Sequence, residues 1–229
     1  MVRDIFFDLD RTLWDFEYNS QDTLLDLVNK FNLLDRGIDS AEKFIEKYRI
    51  HNNRLWELYR KGEIKKEQLR DKRFLLTLQD YNIDDNELAN QFGLAYVKYS
   101  PLKKKLFPHS IELLDYLVKN YSLHIITNGF QEVQHIKLKN SGLSKYFNFI
   151  ITSEEVGVKK PDPSIFTYAL GLAKAKPEQS AMIGDDLFVD VKGAEAVGMR
   201  GIYFNPNKIE HNEVVYAEVS SLADIFRLF

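Results

Sequence analysis

The chain has 229 residues, 45% hydrophobic and 28% charged, enough apolar material to close one large core or two modest ones, which excludes intrinsic disorder. Its 31 Lys and Arg against 34 Asp and Glu give a net charge of −3, so no global positive field exists to gather nucleic acid or acidic lipid. The absence of cysteine removes disulfides, thiol nucleophiles, iron–sulfur clusters and Cys-based zinc sites. The N-terminus is too short and too acidic for a signal peptide, and no apolar run approaches the ~20 residues of a membrane span. The expectation is a soluble, cytoplasmic protein with a local site for a small anionic ligand, and with neither a nucleic-acid polymer nor a membrane as partner.

In chain order, the short apolar run Ile5-Phe6-Phe7 is followed by a block that reads as helical. Helices are predicted at about 17–32, from the N-cap Ser40 to Gly62, at 66–79 and at 85–99, where Leu88, Phe92, Ala95, Tyr96 and Tyr99 share one stripe. The texture then changes, for all six prolines lie at or after Pro101. Apolar runs at 123–126, 149–151, 181–183 and 201–204 alternate with amphipathic stretches near 109–119, 131–140, 163–174 and 188–197. Continuous apolar runs of this length suit strands buried on both faces, and strand–helix alternation suits a parallel sheet. Because Ile5-Phe6-Phe7 has no partner in the helical block, it joins that sheet. The expected fold is therefore α/β, a Rossmann-like parallel sheet core over 1–13 and 108–229 with an inserted helical-bundle cap over 14–107.

Chemistry is expected where strands end. Asp8 and Asp10 follow the first strand, at the edge where open parallel sheets bind ligands. A second strand ends in Gly184-Asp185-Asp186, with Asp190 close behind. Two acids after one strand are as easily a loop cap, since Asp favours turns. If the two strands are neighbours, however, four carboxylates converge. Like charges ~4 Å apart repel by about 4 kcal/mol at an effective dielectric near 20, and several such pairs rival the ~5–15 kcal/mol that holds a domain together. A cation must neutralise them, and with few ligands, all oxygen, Mg²⁺ fits better than Ca²⁺. The five histidines have no metal-like spacing and read as packing or surface residues. Thr127-Asn128-Gly129 ends another strand and offers a hydroxyl and turn amides as an anion cradle, or simply an Asn-Gly turn. In Lys159-Lys160-Pro161-Asp162-Pro163 one lysine is held by rigid prolines and suits a fixed counter-charge for a phosphoryl group, or else the segment is a basic turn capped by Asp162. No P-loop and no G-x-S-x-G elbow is present.

Together Asp8-Leu9-Asp10-Arg11-Thr12, Thr127-Asn128-Gly129, Lys160 and Gly184-Asp185 with Asp190 resemble the pattern of the haloacid dehalogenase (HAD) superfamily, and the helical insertion resembles that superfamily's first kind of cap. The resemblance implies that Asp8 attacks phosphorus to form an aspartyl-phosphate and that Asp10 acts as general acid and then base. It also implies Mg²⁺ held by Asp8, the backbone carbonyl of Asp10 and Asp185, with Asp190 orienting the set, and phosphate held by Thr127, Asn128 and Lys160. Asp186 is open between a water-mediated ligand and a helix N-cap. Arg11 departs from the pattern, where glycine is commoner. The presence of Asp10 favours a phosphatase acting on a small phosphomonoester over a dehalogenase, with a phosphosugar mutase or a non-catalytic binding module as alternatives. The run from Asp10 to Glu17 resembles the nucleoside 5′-monophosphatase branch. Trp14, Phe16, Trp56, Tyr59 and Arg54 are candidates to hold a base or sugar, or else are core of the cap.

Overall fold

Six strands, β1 (Asp4–Phe7), β2 (Ser122–Thr127), β3 (Phe149–Thr152), β4 (Ser180–Gly184), β5 (Arg200–Phe204) and β6 (Ala217–Val219), form one sheet in the order β3-β2-β1-β4-β5-β6, with every pair parallel. The computed structural model describes residues 1–229. The expected parallel α/β sheet is present, with one strand, β6, that the sequence pattern did not announce. Alternation along β1 explains the unbroken apolar runs. Ile5 and Phe7 pack with Leu123, Ile125 and Ile183 on one face, beside Leu113, Leu114 and Leu117 of helix 110–117. Phe6 points the other way, with Ile126, Met182, Ile165 and Phe166. Both faces are covered, so each strand buries residues of both parities.

Two compact units divide the chain, Met1–Phe16 with Lys104–Phe229, and Glu17–Lys103. These joins fall three or four residues away from the 13/14 and 107/108 boundaries expected above. The reason is local pairing: the Asp15 N–H donates to the Lys105 carbonyl at 3.1 Å and the Phe107 N–H to that of Leu13 at 3.0 Å, so the outgoing and returning chain segments stay together a little longer.

The helical unit holds α1 (Phe16–Lys30, begun in the first unit), α2 (Ala41–Arg60), α3 (Lys66–Gln79) and α4 (Asn86–Tyr99). Ser40 caps α2 by accepting from the Lys43 N–H, and Asp85 caps α4 by accepting from that of Leu88. The inward stripes, among them Leu24, Leu27, Phe44, Tyr48, Phe74, Phe92 and Tyr96, form one core.

In the sheet unit, α5 (Ser110–Leu117), α6 (Gln131–Asn140), the short turn α7 (Ser153–Val156) and α8 (Pro163–Ala173) connect strands. The helix expected at 188–197 is instead a wide π-helical turn, Leu187–Lys192, followed by three α-helical residues. Val191 donates back to the carbonyl of Asp186, five residues earlier, and Asp190 donates to the same oxygen. No helix is long and apolar enough to cross a membrane.

Candidate active site

The strand order decides the site. The chain runs from β1 outward to β2 and β3, then returns across β1 to β4, so the direction of winding reverses between β1 and β4, where open α/β sheets leave a crevice at the carboxyl ends. Phe7 pairs with Ile125 of β2 and Ile183 of β4, which brings Asp8, the end of β2 and Asp185 to the same edge. The Asp8 N–H donates to the Ile183 carbonyl at 2.9 Å.

Carboxylate oxygens of Asp8, Asp185 and Asp190 lie within 4.8 Å of one another. Lys160, 1% exposed, is inserted beside them: its Nζ donates to Asp8 Oδ1 at 2.7 Å and to the Ile126 carbonyl at 2.7 Å, and stands 2.6 Å from Asp190 Oδ1. Glycine at 184 is required by this packing, because a Cβ there would overlap the Asp190 carboxylate. The Asp190 Oδ2 accepts from the Asp186 N–H at 3.2 Å. Thr12, fully buried, donates from Oγ1 to Asp185 Oδ1 at 3.4 Å.

Electrostatics follow from burial and crowding. Burial pushes the Asp8 carboxyl up to about 7, against the pull of Lys160 and with the charge of Asp190 adding to the rise. Burial and then the charges of Asp8 and Asp190 hold Asp185 well above the ordinary carboxylate range, opposed by Arg11. Asp190 is raised by burial, which Lys160 counters. For Lys160 burial works against the ammonium, yet Asp190 and Asp8 outweigh it and raise its pKa. Three carboxylates and one ammonium leave a formal balance of −2, and each of the three acids pays for its ionisation with the others' repulsion.

Of the four carboxylates anticipated from the sequence, Asp8 and Asp185 converge while Asp10 and Asp186 do not, and Asp190 completes the cluster in their stead. Asp10 turns its side chain away from the cluster to α6, where Lys137 Nζ stands 2.5 Å from Oδ1 and Gln134 Nε2 donates to Oδ2 at 2.8 Å. Asp186 accepts from the N–H groups of Phe188 and Val189, the N-cap alternative. Thr127 Oγ1 accepts from the Gly129 N–H at 3.1 Å and from Gln134 Nε2 at 2.7 Å. The Asn128 side chain clasps the Lys160 backbone both ways, donating to its carbonyl at 3.0 Å and accepting from its N–H at 2.9 Å. Asp162 caps α8 by accepting from the Ser164 N–H, with Pro163 as the first helical residue. Arg11 has φ of 65°, the left-handed region that favours glycine, and its guanidinium lies 4.5 Å from the Phe16 ring centroid.

Several candidates read from sequence are packing residues. Trp14 is fully buried in the core of the sheet unit, and Tyr59 is buried with Trp56 edge-on to it at 5.6 Å. His124 is stacked between Phe6 and Phe149, where burial lowers its pKa despite Asp4. Two residues that the sequence pattern did not single out, Gln134 and Lys137, touch the site. Their signal was available, since positions 134, 137 and 138 share one face of α6, and only Leu138 of these is the apolar residue an inward stripe calls for.

A parallel sheet in this order, with acids on the loops after its two central strands, is the architecture of a hydrolase class. The haloacid dehalogenase-like hydrolase profile matches residues 2–198, and the chain belongs to that family. Among its relatives, the pyrimidine 5′-nucleotidase YjjG of Escherichia coli is 33% identical over 98% of this chain and 96% of its own. The pyrimidine 5′-nucleotidase PynA of Streptococcus pneumoniae is 30% identical over 91% of this chain and 86% of its own. Among solved structures, the HAD-hydrolase YfnB of Bacillus subtilis, bound to magnesium, has the same fold, with a TM-score of 0.89 at 24% identity over 99% of this chain and 98% of that one.

Proposed function

We propose that this hydrolase is a Mg²⁺-dependent phosphatase of small phosphomonoesters, with pyrimidine nucleoside 5′-monophosphates as its substrate class and Asp8 as its nucleophile. The observation that carries the proposal is the set of Asp8, Asp185 and Asp190 within 4.8 Å, with a single ammonium among them. An all-oxygen donor set left at −2 fits a hard dication. Asp8, Asp185 and the Asp10 carbonyl would hold it, with Asp190 orienting the set; when bound, Mg²⁺ neutralises the acids and orients a phosphate oxygen.

The chain's own groups supply the rest. Lys160 donates to Asp8 Oδ1 and holds the nucleophile in place. In the first step an Asp8 oxygen bonds to phosphorus and the ester P–O bond breaks, its oxygen taking a proton from Asp10. In the second step water attacks phosphorus, gives a proton to Asp10, and the acyl-phosphate P–O bond breaks to restore Asp8. Thr127, the Asn128 backbone N–H and Lys160 stabilise charge on the phosphoryl oxygens. The substrate class rests on the names of YjjG and PynA.

The test is a panel of an aryl phosphate, purine and pyrimidine nucleoside 5′-monophosphates and sugar phosphates, each with Mg²⁺ and with EDTA. Turnover is expected only with metal and fastest on pyrimidine nucleotides. Metal-independent turnover, or none on any ester, refutes the phosphatase; a flat profile refutes the nucleotide preference alone.

A further inference from the structure

We propose that Gln134 and Lys137 are positioning residues that hold the Asp10 carboxylate in the orientation from which it exchanges protons with the leaving group and with water. The proposal rests on Asp10 as the general acid and base of the reaction above.

Both residues project from the inward face of α6, and both are buried, Gln134 completely and Lys137 at 4% exposure. They are three residues apart, so they sit one turn apart on one face, and each takes a different oxygen of Asp10. A carboxylate gripped at one oxygen can still swing about its Cβ–Cγ bond. Gripped at both, it has one plane and one direction. Gln134 Nε2 also donates to Thr127 Oγ1 at 2.7 Å, so a single amide fixes Asp10 relative to the end of β2. That amide cannot be flipped without placing its oxygen against the carboxylate, and its Oε1 is left buried with no donor.

Packing alone gives no reason for this pair. A methionine or leucine at either position would fill the same volume without the cost of removing an ammonium or an amide from water. Lys137 meets one carboxylate, that of Asp10, and its Nζ lies 4.3 Å from the Trp14 ring centroid and 5.9 Å from that of Phe16. Aromatic faces attract the ammonium but accept no proton, so they confine it on one side while Asp10 fixes it on the other. Gly129 belongs to the same device, because a Cβ there would overlap the Gln134 amide.

The experiment compares Lys137→Met, Lys137→Arg and Gln134→Met with wild type and Asp10→Asn, each shown folded by its melting curve. Two esters are used with Mg²⁺: 4-nitrophenyl phosphate, whose leaving group departs without a proton, and uridine 5′-monophosphate, whose leaving group needs one. On the aryl ester, Lys137→Met should release about one equivalent of nitrophenolate per site in a burst and then turn over slowly, since only the second step needs the base. On the nucleotide, kcat should fall by about 10–100-fold with KM little changed. Lys137→Arg should recover part of the loss. Lys137→Met should add nothing to Asp10→Asn. If Asp10→Asn abolishes nucleotide turnover while Lys137→Met and Gln134→Met leave it intact, or if they slow both esters equally with no burst, the clamp is refuted and Asp10 keeps its role. If Asp10→Asn itself turns over normally, the role of Asp10 is refuted and the clamp falls with it. A failure of one variant to fold leaves the others to decide, since Lys137→Met and Gln134→Met each release a different oxygen of Asp10.

Discussion

Asp185→Asn is expected to stabilise the metal-free protein while removing its response to Mg²⁺. At the 4.8 Å limit of the cluster, two carboxylates repel by about 3.5 kcal/mol at an effective dielectric near 20. Asp185 has two such neighbours, Asp8 and Asp190, each partly neutralised by its own ion pair with Lys160, and Arg11 opposes them further, leaving a net penalty of about 3 kcal/mol at a pH where all are ionised. The asparagine keeps an oxygen to accept from Thr12, so the substitution deletes charge and little else. For a chain of this size the gain corresponds to a rise in Tm of about 6–12 °C. The sign with pH is determined by the raised acids. Asp8 titrates near 7 in the fold and near 3.8 when unfolded, so its native protonation stabilises the metal-free protein below the lower value, and that stability is lost as pH rises through the higher one. Thermal melts in EDTA should therefore show the variant's advantage large at pH 8 and small at pH 5. Added Mg²⁺ should raise the wild-type Tm, more at pH 8, and leave the variant nearly unmoved. A variant less stable than wild type at pH 8 in EDTA, or one that Mg²⁺ stabilises as much, would refute the reasoning.

Asp8→Asn should abolish turnover of every ester in a steady-state assay and leave the fold intact; retained activity would place the nucleophile elsewhere. Lys160→Met leaves Asp8 and Asp190 buried without their cation, so urea melts at pH 8 should show a loss of about 3–5 kcal/mol that shrinks toward pH 5 as the two acids take up protons. Gly129→Ala forces the Gln134 side chain off Asp10 and Thr127; a stability loss of about 1–3 kcal/mol by denaturant melts should accompany a fall in kcat, and unchanged kcat would contradict the contact.

The local chemistry of this protein was legible in its sequence. Apolar runs bounded by turns and helical stripes, one of them opened by the cap Ser40, specify strands and helices from short-range forces alone, and Asp8, Asp185 and Lys160 stand out because each directly follows such an element or is set among prolines. What alternation could not foretell was where side chains turn beyond the strand ends. Asp10 leaves the acids because it finds Lys137 and Gln134, and Asp190 joins them because a π-helical turn brings it beneath Gly184. Such choices are settled by charge partners from distant chain segments, here 127 residues apart for Asp10 and Lys137. Trp14 illustrates the same limit, since an aromatic next to a motif looks like a ligand platform until the core closes over it. Residue types and their spacing determined which elements form and which chemistry was on offer; the sheet order, which makes neighbours of β1 and β4, decided which charges must live together, because repulsion and ion pairing act through space and are indifferent to separation along the chain.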